Sequence, residues 1–538
     1  MNELKKYNKK SSIIHPFLFA ILPIVFLYSE NIHLLSPTEI ILPSIIVVGL
    51  SIIAYFSVGF ILKNKNKAAL IITLFVIVFF SYGHIYNIIN ASDLENIEIF
   101  KHRYLLIPSF GLLVFGIIYF LKTKRKLDNA TTITNFISCA IIGIILFNVI
   151  VDITQDNFFG STKLSENERF LGVGASNEIS FDSIFSFSSH DQKNIDNPNN
   201  KLPDIYYIIL DEYGSNNALE KFFGYDNNEF TSFLKENGFF LVSESYSNYP
   251  TTIQSLAASL NMEYVNYLTE KVGKESKNFR MLNQILSDNK VMQKLHAEDY
   301  NIINMGSLWG PNNEFKNVNA NICEFKEINR DSLLRELLQT SMISYLQEML
   351  TYQGSRDRVL CIFDELPTLN QKFPSPKFIF AHVMLPHEPY IFGPNGEDVN
   401  PGISLDGKPW DPKKAHIDQL KFANKKIHVL IETLLSQNNN SIMIIQGDTG
   451  SAFSGDWDNP SEDLIMERMS NLNAIYFPNG NYEAFSEYIT PVNSFRIIFN
   501  EFFDANYTLL EDNMYWSAGS KPYAHKDVTN ILLKDNEI

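Results

Sequence analysis

Apolar positions fall into two regimes along this chain. Up to Asp152 they come in long runs, roughly Ile13–Ser29, Ile40–Leu62, Ala68–Ile89, Tyr104–Leu121 and Thr131–Val151. Each run approaches or exceeds the ~18–20 residues that a helix needs to cross a bilayer core. Residues 1–153 are therefore predicted to form a membrane domain of five transmembrane helices. The first run is the weakest, being short and carrying His15, Pro16 and Pro23. A signal peptide is the competing reading of that run. The four runs behind it, and the lack of a convincing small-residue cleavage site, argue against that reading.

Beyond Pro203 the apolar runs shorten and alternate with helical periodicities. Asp204–Leu210, Phe378–Met384 and Ser441–Gln446 read as strands buried on both faces, rich in β-branched and aromatic residues. A helical run spans about Ala415–Ser436. Asp226-Asn227-Asn228-Glu229 reads as a capping box for a helix ending at Asn237, with Gly238 as its C′ residue. Such alternation predicts an extracytoplasmic α/β domain over 202–538, with a mainly parallel sheet and helices on both faces. Residues 154–201, rich in Ser, Asn, Asp and Gly, read as a linker with one amphipathic helix on the membrane surface.

Charge sets the orientation. Lys5, Lys6, Lys9 and Lys10 precede the first run; Lys63, Lys65 and Lys67 fill the second connection, and Lys122, Lys124, Arg125 and Lys126 the fourth. The positive-inside rule puts the N-terminus in the cytoplasm and everything after Asp152 outside. A net charge of −16 argues against a nucleic-acid partner. Of three cysteines, Cys139 falls in an apolar run, and Cys323 and Cys361 are expected as free buried thiols. His15 and His84 are expected at the membrane interface, without chemistry; lining a lipid or proton path is the functional alternative.

Four places in the outer domain carry groups with chemical potential. Asp211-Glu212 ends the first strand, where ligands of open α/β sheets sit, and paired acids there suit a hard cation. A solvated turn is the bland alternative. In Asn248-Tyr249-Pro250-Thr251-Thr252-Ile253-Gln254-Ser255-Leu256, a loop passes into a helix with Thr252 at its N-cap or first turn. Free N–H groups there favour an oxyanion, and a neighbouring metal would help deprotonate the hydroxyl; an ordinary Thr cap is the alternative. His382 and His387 straddle the end of the Phe378–Met384 strand and can donate to an anion or exchange protons. A buried structural histidine is the simpler use of His382. Asp448, between Gly447 and Gly450, ends a further strand, and the glycines let the backbone approach a ligand closely.

The order of these motifs resembles the sulfatase-like branch of the alkaline phosphatase superfamily. In layout the chain resembles the membrane-anchored lipoteichoic acid synthases and phosphoethanolamine transferases. Asn-Tyr-x-x-Thr-x-x-Ser-Leu and Pro491-Val492-Asn493-Ser494-Phe495-Arg496 carry the local likeness. The resemblance implies Asp211, Glu212, Asp448 and Thr449 as metal ligands and Thr252 as nucleophile, with Thr251 one register away. It implies His382 and His387 as binders of the substrate's anionic group. No cysteine occupies the nucleophile segment, so formylglycine chemistry is not available. Where the family commonly reads Asp-His-Gly or Asp-Asn-Gly, this chain has Asp448-Thr449-Gly450. Loss of an imidazole or amide there points to Mg²⁺, Mn²⁺ or Ca²⁺ rather than Zn²⁺.

The expectation is a metal-dependent transferase or hydrolase of phospho- or sulfo-ester groups on envelope lipids or glycans. The alternative is an inactive, sulfatase-like membrane protein that binds a glycan or a partner.

Overall fold

The structure is a computed structural model. It describes residues 12–32, 37–90, 102–160, 202–306, 315–323, 332–401, 410–438, 440–453 and 455–533. Two compact units form: residues 1–159 with 326–353, and residues 160–325 with 354–538. Of the expected linker, residues 154–160 continue a helix, while 161–201 lie outside the described residues.

The first unit holds helices α1 (His15–Glu30), α2 (Ile41–Leu62), α3 (Lys65–Asn90), α4 (His102–Lys122) and α5 (Asp128–Gly160). Pro37–Leu62, Lys65–Tyr86, Leu105–Lys122 and Asp128–Val151 are long and apolar enough to cross a membrane, and α1 is a shorter apolar helix. Burial singles out α3: 56% of its apolar stretch is buried, against 11% for α2 and 6% for α4 and α5. Its Ala68, Ala69, Ile72 and Val76 pack with Phe19 and Tyr55, the two alanines letting backbones approach closely. The start of α1 has its free N–H groups met in trans, because Asn135 Oδ1 accepts from the amides of Ile14 (3.2 Å) and His15 (3.0 Å). His15, the first residue of α1, is fully buried, and its Nδ1 lies 2.6 Å from Thr73 Oγ1. His84 packs edge-on against Phe26. Cys139 is free and exposed.

The helix Ser332–Gln339 joins this unit from within the expected outer domain. Its Leu333, Leu334 and Leu337 are buried against Ile24, Leu27 and Tyr28 of α1. The backbone that follows docks on α3. Thr340 O accepts from Gly83 N at 3.0 Å, and Met342 N donates to Phe79 O at 2.8 Å.

The second unit is built on a seven-stranded sheet. Its strands are β1 (Asp204–Leu210), β2 (Phe240–Leu241), β3 (Asn301–Met305), β4 (Ala320–Asn321), β5 (Lys377–Val383), β6 (Ser441–Gly447) and β7 (Asn473–Tyr476). They are ordered β2-β7-β6-β1-β5-β3-β4. The five strands from β6 to β4 run parallel, and β7 and β2 are antiparallel additions at one edge. A small ribbon of β8 (Tyr515–Trp516) and β9 (Lys526–Asp527) lies apart. Every residue of β1, β5 and β6 is buried, as a parallel sheet covered on both faces requires. The predicted α/β architecture is the one formed, and each of the three predicted strands is present.

Register is what builds the site. Leu210 pairs with Val383 on one side and with Gly447 on the other, so the residues after these strands converge. The far end of the sheet is pinned by Asp204, which holds Lys377 Nζ at 2.7 Å with both side chains 1% exposed. Ser375, Asn438 and the Lys377 amide complete its shell, so the buried carboxylate is fully paired.

Two local expectations are corrected. Cys323 and Cys361 are joined in a disulfide rather than free; their 38-residue separation carries no sequence signal for pairing. The capping box at Asp226–Glu229 does not form. Asn227 is the N-cap of helix Asn228–Glu236 but makes no side-chain cap, its amide being bonded to the Tyr213 hydroxyl and Asn216. Asp226 Oδ1 accepts from Asn228 N instead, and Gly238 takes the left-handed conformation expected of a C′ residue.

Candidate active site

The turn after β1 begins with Asp211, which is 2% exposed. Its Oδ2 lies 3.0 Å from His382 Nε2, which the register brings across from β5. Asp448, 1% exposed, enters from the end of β6, and its Oδ1 accepts the Glu212 amide at 3.1 Å. One ligand atom from each of Asp211, His382 and Asp448 falls within 4.8 Å of the others. Asp211 Oδ1, Asp448 Oδ2 and Thr449 Oγ1 are buried with no hydrogen-bond partner. Two carboxylates enclosed at this distance with lone pairs unmet suit a divalent cation, so the donor set fits the metal that the sequence implies.

Electrostatics separates the two acids. Burial pushes Asp211 up, but His387, His382 and Arg468 together outweigh it and leave the group below the ordinary carboxylate range. Asp448 is raised to about 6, first by burial and then by the charge of Asp211, with His382, Arg468 and Thr252 opposing. Burial lowers His387, yet the neighbouring Asp211, Glu212 and Glu388 carbonyl carry it up to about 9.

Thr252 is the first residue of helix Thr252–Asn261, with Thr251 as N-cap. No side chain caps this helix, which leaves first-turn N–H groups facing outward along the dipole. Thr252 interacts through its side chain with the Asp448 carboxylate. Thr251 is engaged elsewhere, its hydroxyl donating to Gln254 Oε1 at 2.6 Å. Ser255 Oγ donates to the Asp448 carbonyl at 2.7 Å and ties the helix to the loop after β6. Among the sequence-predicted residues, then, Asp211, His382, Asp448 and Thr252 come together.

Glu212 does not join that cluster. It sits at φ +61°, and its carboxylate turns to Arg468 Nη1 at 2.5 Å, with His387 Nε2 3.8 Å away. Arg468 was not legible as a site residue, because it ends the helix Glu462–Met469 as an ordinary last-turn cation. It also donates to the Pro250 carbonyl (2.7 Å) and the Gly450 carbonyl (2.8 Å), joining three of the predicted segments. Gly447 and Gly450 serve protein contacts: a Cβ would meet Tyr213 O at 2.3 Å or Glu467 O at 2.2 Å. His416, on helix Pro412–Gln437, is a further buried histidine, stacked on Phe223 and edge-on to Tyr390 and Phe453.

The family model described as Sulfatase matches residues 203–497, more than half of the chain, and the chain belongs to the sulfatase family. No curated protein matches it. Among solved structures it is similar to the C-terminal periplasmic domain of EcEptC from Escherichia coli: 12% identity, 61% of this chain and 93% of that one, TM-score 0.39. It is similar to the integral membrane protein lipooligosaccharide phosphoethanolamine transferase A (EptA) from Neisseria meningitidis: 11% identity, 91% and 95%, TM-score 0.37. A third is the phosphonate monoester hydrolase of Agrobacterium radiobacter: 10% identity, 58% and 80%, TM-score 0.35. The chain is thus a membrane protein with a sulfatase-family domain, and an enzyme.

Proposed function

We propose that this enzyme transfers or hydrolyses a phosphoester group of a membrane lipid or envelope glycan, with Thr252 as nucleophile. One observation carries the reading: Thr252 opens an uncapped helix N-terminus that Ser255 Oγ ties to the Asp448 carbonyl at 2.7 Å, beside the Asp211–His382–Asp448 cluster. Asp211 and Asp448 would hold a divalent cation, which when bound would supply positive charge against the phosphoryl oxygens and acidify a nearby hydroxyl. Thr252, beside that pair of acids, gives up its hydroxyl proton to solvent. The Thr252 oxygen then bonds to phosphorus as the bond to the leaving alcohol breaks. His387, whose Nε2 lies 3.8 Å from the Glu212 carboxylate, is the proton donor to that alcohol. In a second displacement water or a glycan hydroxyl bonds to phosphorus as the Thr252–phosphorus bond breaks, its proton passing to the now neutral His387 while Thr252 regains a proton from solvent. First-turn N–H groups of helix Thr252–Asn261 favour the anion throughout.

An extracytoplasmic site, with the N-terminus in the cytoplasm, fits the charge pattern of the N-terminal connections. The Cys323–Cys361 disulfide supports it, since such bonds persist in oxidising compartments. A membrane anchor favours lipid-linked donors over soluble ones. Intact-mass measurement of the metal-loaded full chain, incubated with anionic phospholipid vesicles, tests the reading. A covalent phospho-adduct localised to Thr252 is expected. A turnover-competent preparation that never carries one would exclude the threonine route.

A further inference from the structure

We propose that His382 is itself a metal ligand, making the centre a two-carboxylate, one-imidazole site that prefers a borderline ion such as Zn²⁺ or Mn²⁺ to Mg²⁺ or Ca²⁺. This rests on the metal-dependent reading above and reverses the preference read from the sequence. Among the described residues, His382 is the one imidazole grouped within ligand distance of Asp211 and Asp448. It is 0% exposed and sits opposite Ile209 in the β1–β5 register, one residue short of the strand's end. Its Nε2 is 3.0 Å from Asp211 Oδ2. Two donors each about 2.1 Å from one ion, at right angles, stand about 3 Å apart, so this spacing suits shared coordination as well as a hydrogen bond.

Other groups cannot fill the role. Glu212 is spent on Arg468. Thr449 offers a neutral hydroxyl, a weak donor for any of these ions. The free lone pairs of Asp211 Oδ1 and Asp448 Oδ2 supply hard donors, and an imidazole beside them shifts the balance toward ions that bind nitrogen well. Loss of imidazole at position 449 therefore does not leave the centre without one.

The test uses the full chain in detergent, stripped with chelator and reloaded with Mn²⁺. Electron spin echo envelope modulation reads directly coordinated ¹⁴N. The expected result is a coordinated-nitrogen signal in the wild type and in Glu212→Gln, lost in His382→Gln while Mn²⁺ still binds. Competition titrations should show the Zn²⁺ to Mg²⁺ affinity ratio falling by roughly tenfold or more in His382→Gln. Mn²⁺ bound without a nitrogen signal in the wild type would overturn the assignment and leave the proposed function standing. A signal that survives in His382→Gln, or an unchanged ratio, would also overturn it. Failure of the wild type to bind any divalent ion would overturn both. The wild-type spectrum decides without any variant, so a misfolded His382→Gln does not blunt the test.

Discussion

Arg468 Nη1 donates to Glu212 Oε1 at 2.5 Å across 256 residues of chain, and this pair settles what the second acid after β1 does. The two side chains are 7% and 14% exposed, so the pair is largely desolvated, and each needs the other. The carboxylate is taken up by Arg468, while the Glu212 amide is what contacts Asp448. Glu212→Gln should therefore keep stoichiometric metal, whereas Asp211→Asn and Asp448→Asn lose it. Elemental analysis of the purified chain reads this directly. Arg468→Met should instead destabilise the fold by about 3 kcal/mol or more, because it strands a buried carboxylate.

The adjacent threonines should differ sharply in kinetics. Thr252 faces Asp448, whereas the Thr251 hydroxyl is donated to Gln254, whose Nε2 in turn bonds Ser517 and His525. Thr252→Ala should lower turnover of a chromogenic phosphodiester by roughly 10³-fold or more, as expected for a nucleophile. Thr251→Ala should cost within about tenfold, through loss of its hydrogen bond to Gln254. Equal losses in the two variants would argue against the assignment.

The pattern of what could be read beforehand follows from how the site is made. Strands β1, β5 and β6 end in chemistry, so their apolar runs and the polar residues behind them were visible in one dimension. So was Thr252, because a loop proline precedes a helical run. Glu212 and Arg468 were not, since which partner a carboxylate faces depends on a turn with φ +61° and a helix 256 residues away. Likewise nothing in the spacing of Cys323 and Cys361 distinguishes a bridge from two buried thiols. The helix Ser332–Gln339 reads as an ordinary amphipathic segment; that its leucines meet α1 is a property of the fold alone.

Acid should destabilise the second unit through His416. Burial, then the charge of His387, lowers this group to about 3, against about 6.5 in an unfolded chain. A folded-state value below the unfolded one means that the unfolded chain binds the proton first. The stabilisation is thus complete above pH ~6.5 and is lost as pH falls toward ~3. About 2–3 kcal/mol should be gone by pH ~4.5. His525, lowered to about 4 by burial, acts in the same direction. Thermal unfolding of wild type and His416→Leu across this range checks it, the variant showing the shallower pH dependence.

Opening the Cys323–Cys361 bridge should also weaken the second unit. With the two positions 38 residues apart, loop entropy amounts to about 3–4 kcal/mol for Cys323→Ser with Cys361→Ser. Unfolding with and without reductant should show the wild type dropping to the level of the double variant, which itself should not respond to reductant.

Gly83 is where the first unit has least tolerance. Phe79 and Gly83 are an i, i+4 pair on α3, and both also bond the backbone of residues 340–342. A Cβ at Gly83 would lie 2.5 Å from Thr340 Cα and 2.6 Å from Gln339 O. These are backbone atoms, which a rotamer change cannot move aside. Gly143, on α5, has nothing within 4 Å of its virtual Cβ. The same substitution at the two positions separates helix propensity from packing. Gly143→Ala should be neutral or stabilise by up to about 1 kcal/mol. Gly83→Ala gains the same propensity but must push the docked backbone away, for a net cost of about 1–3 kcal/mol. Detergent-solubilised unfolding of the two variants should differ in sign relative to wild type. Matching shifts would mean that residues 340–342 are not held against α3 through this glycine.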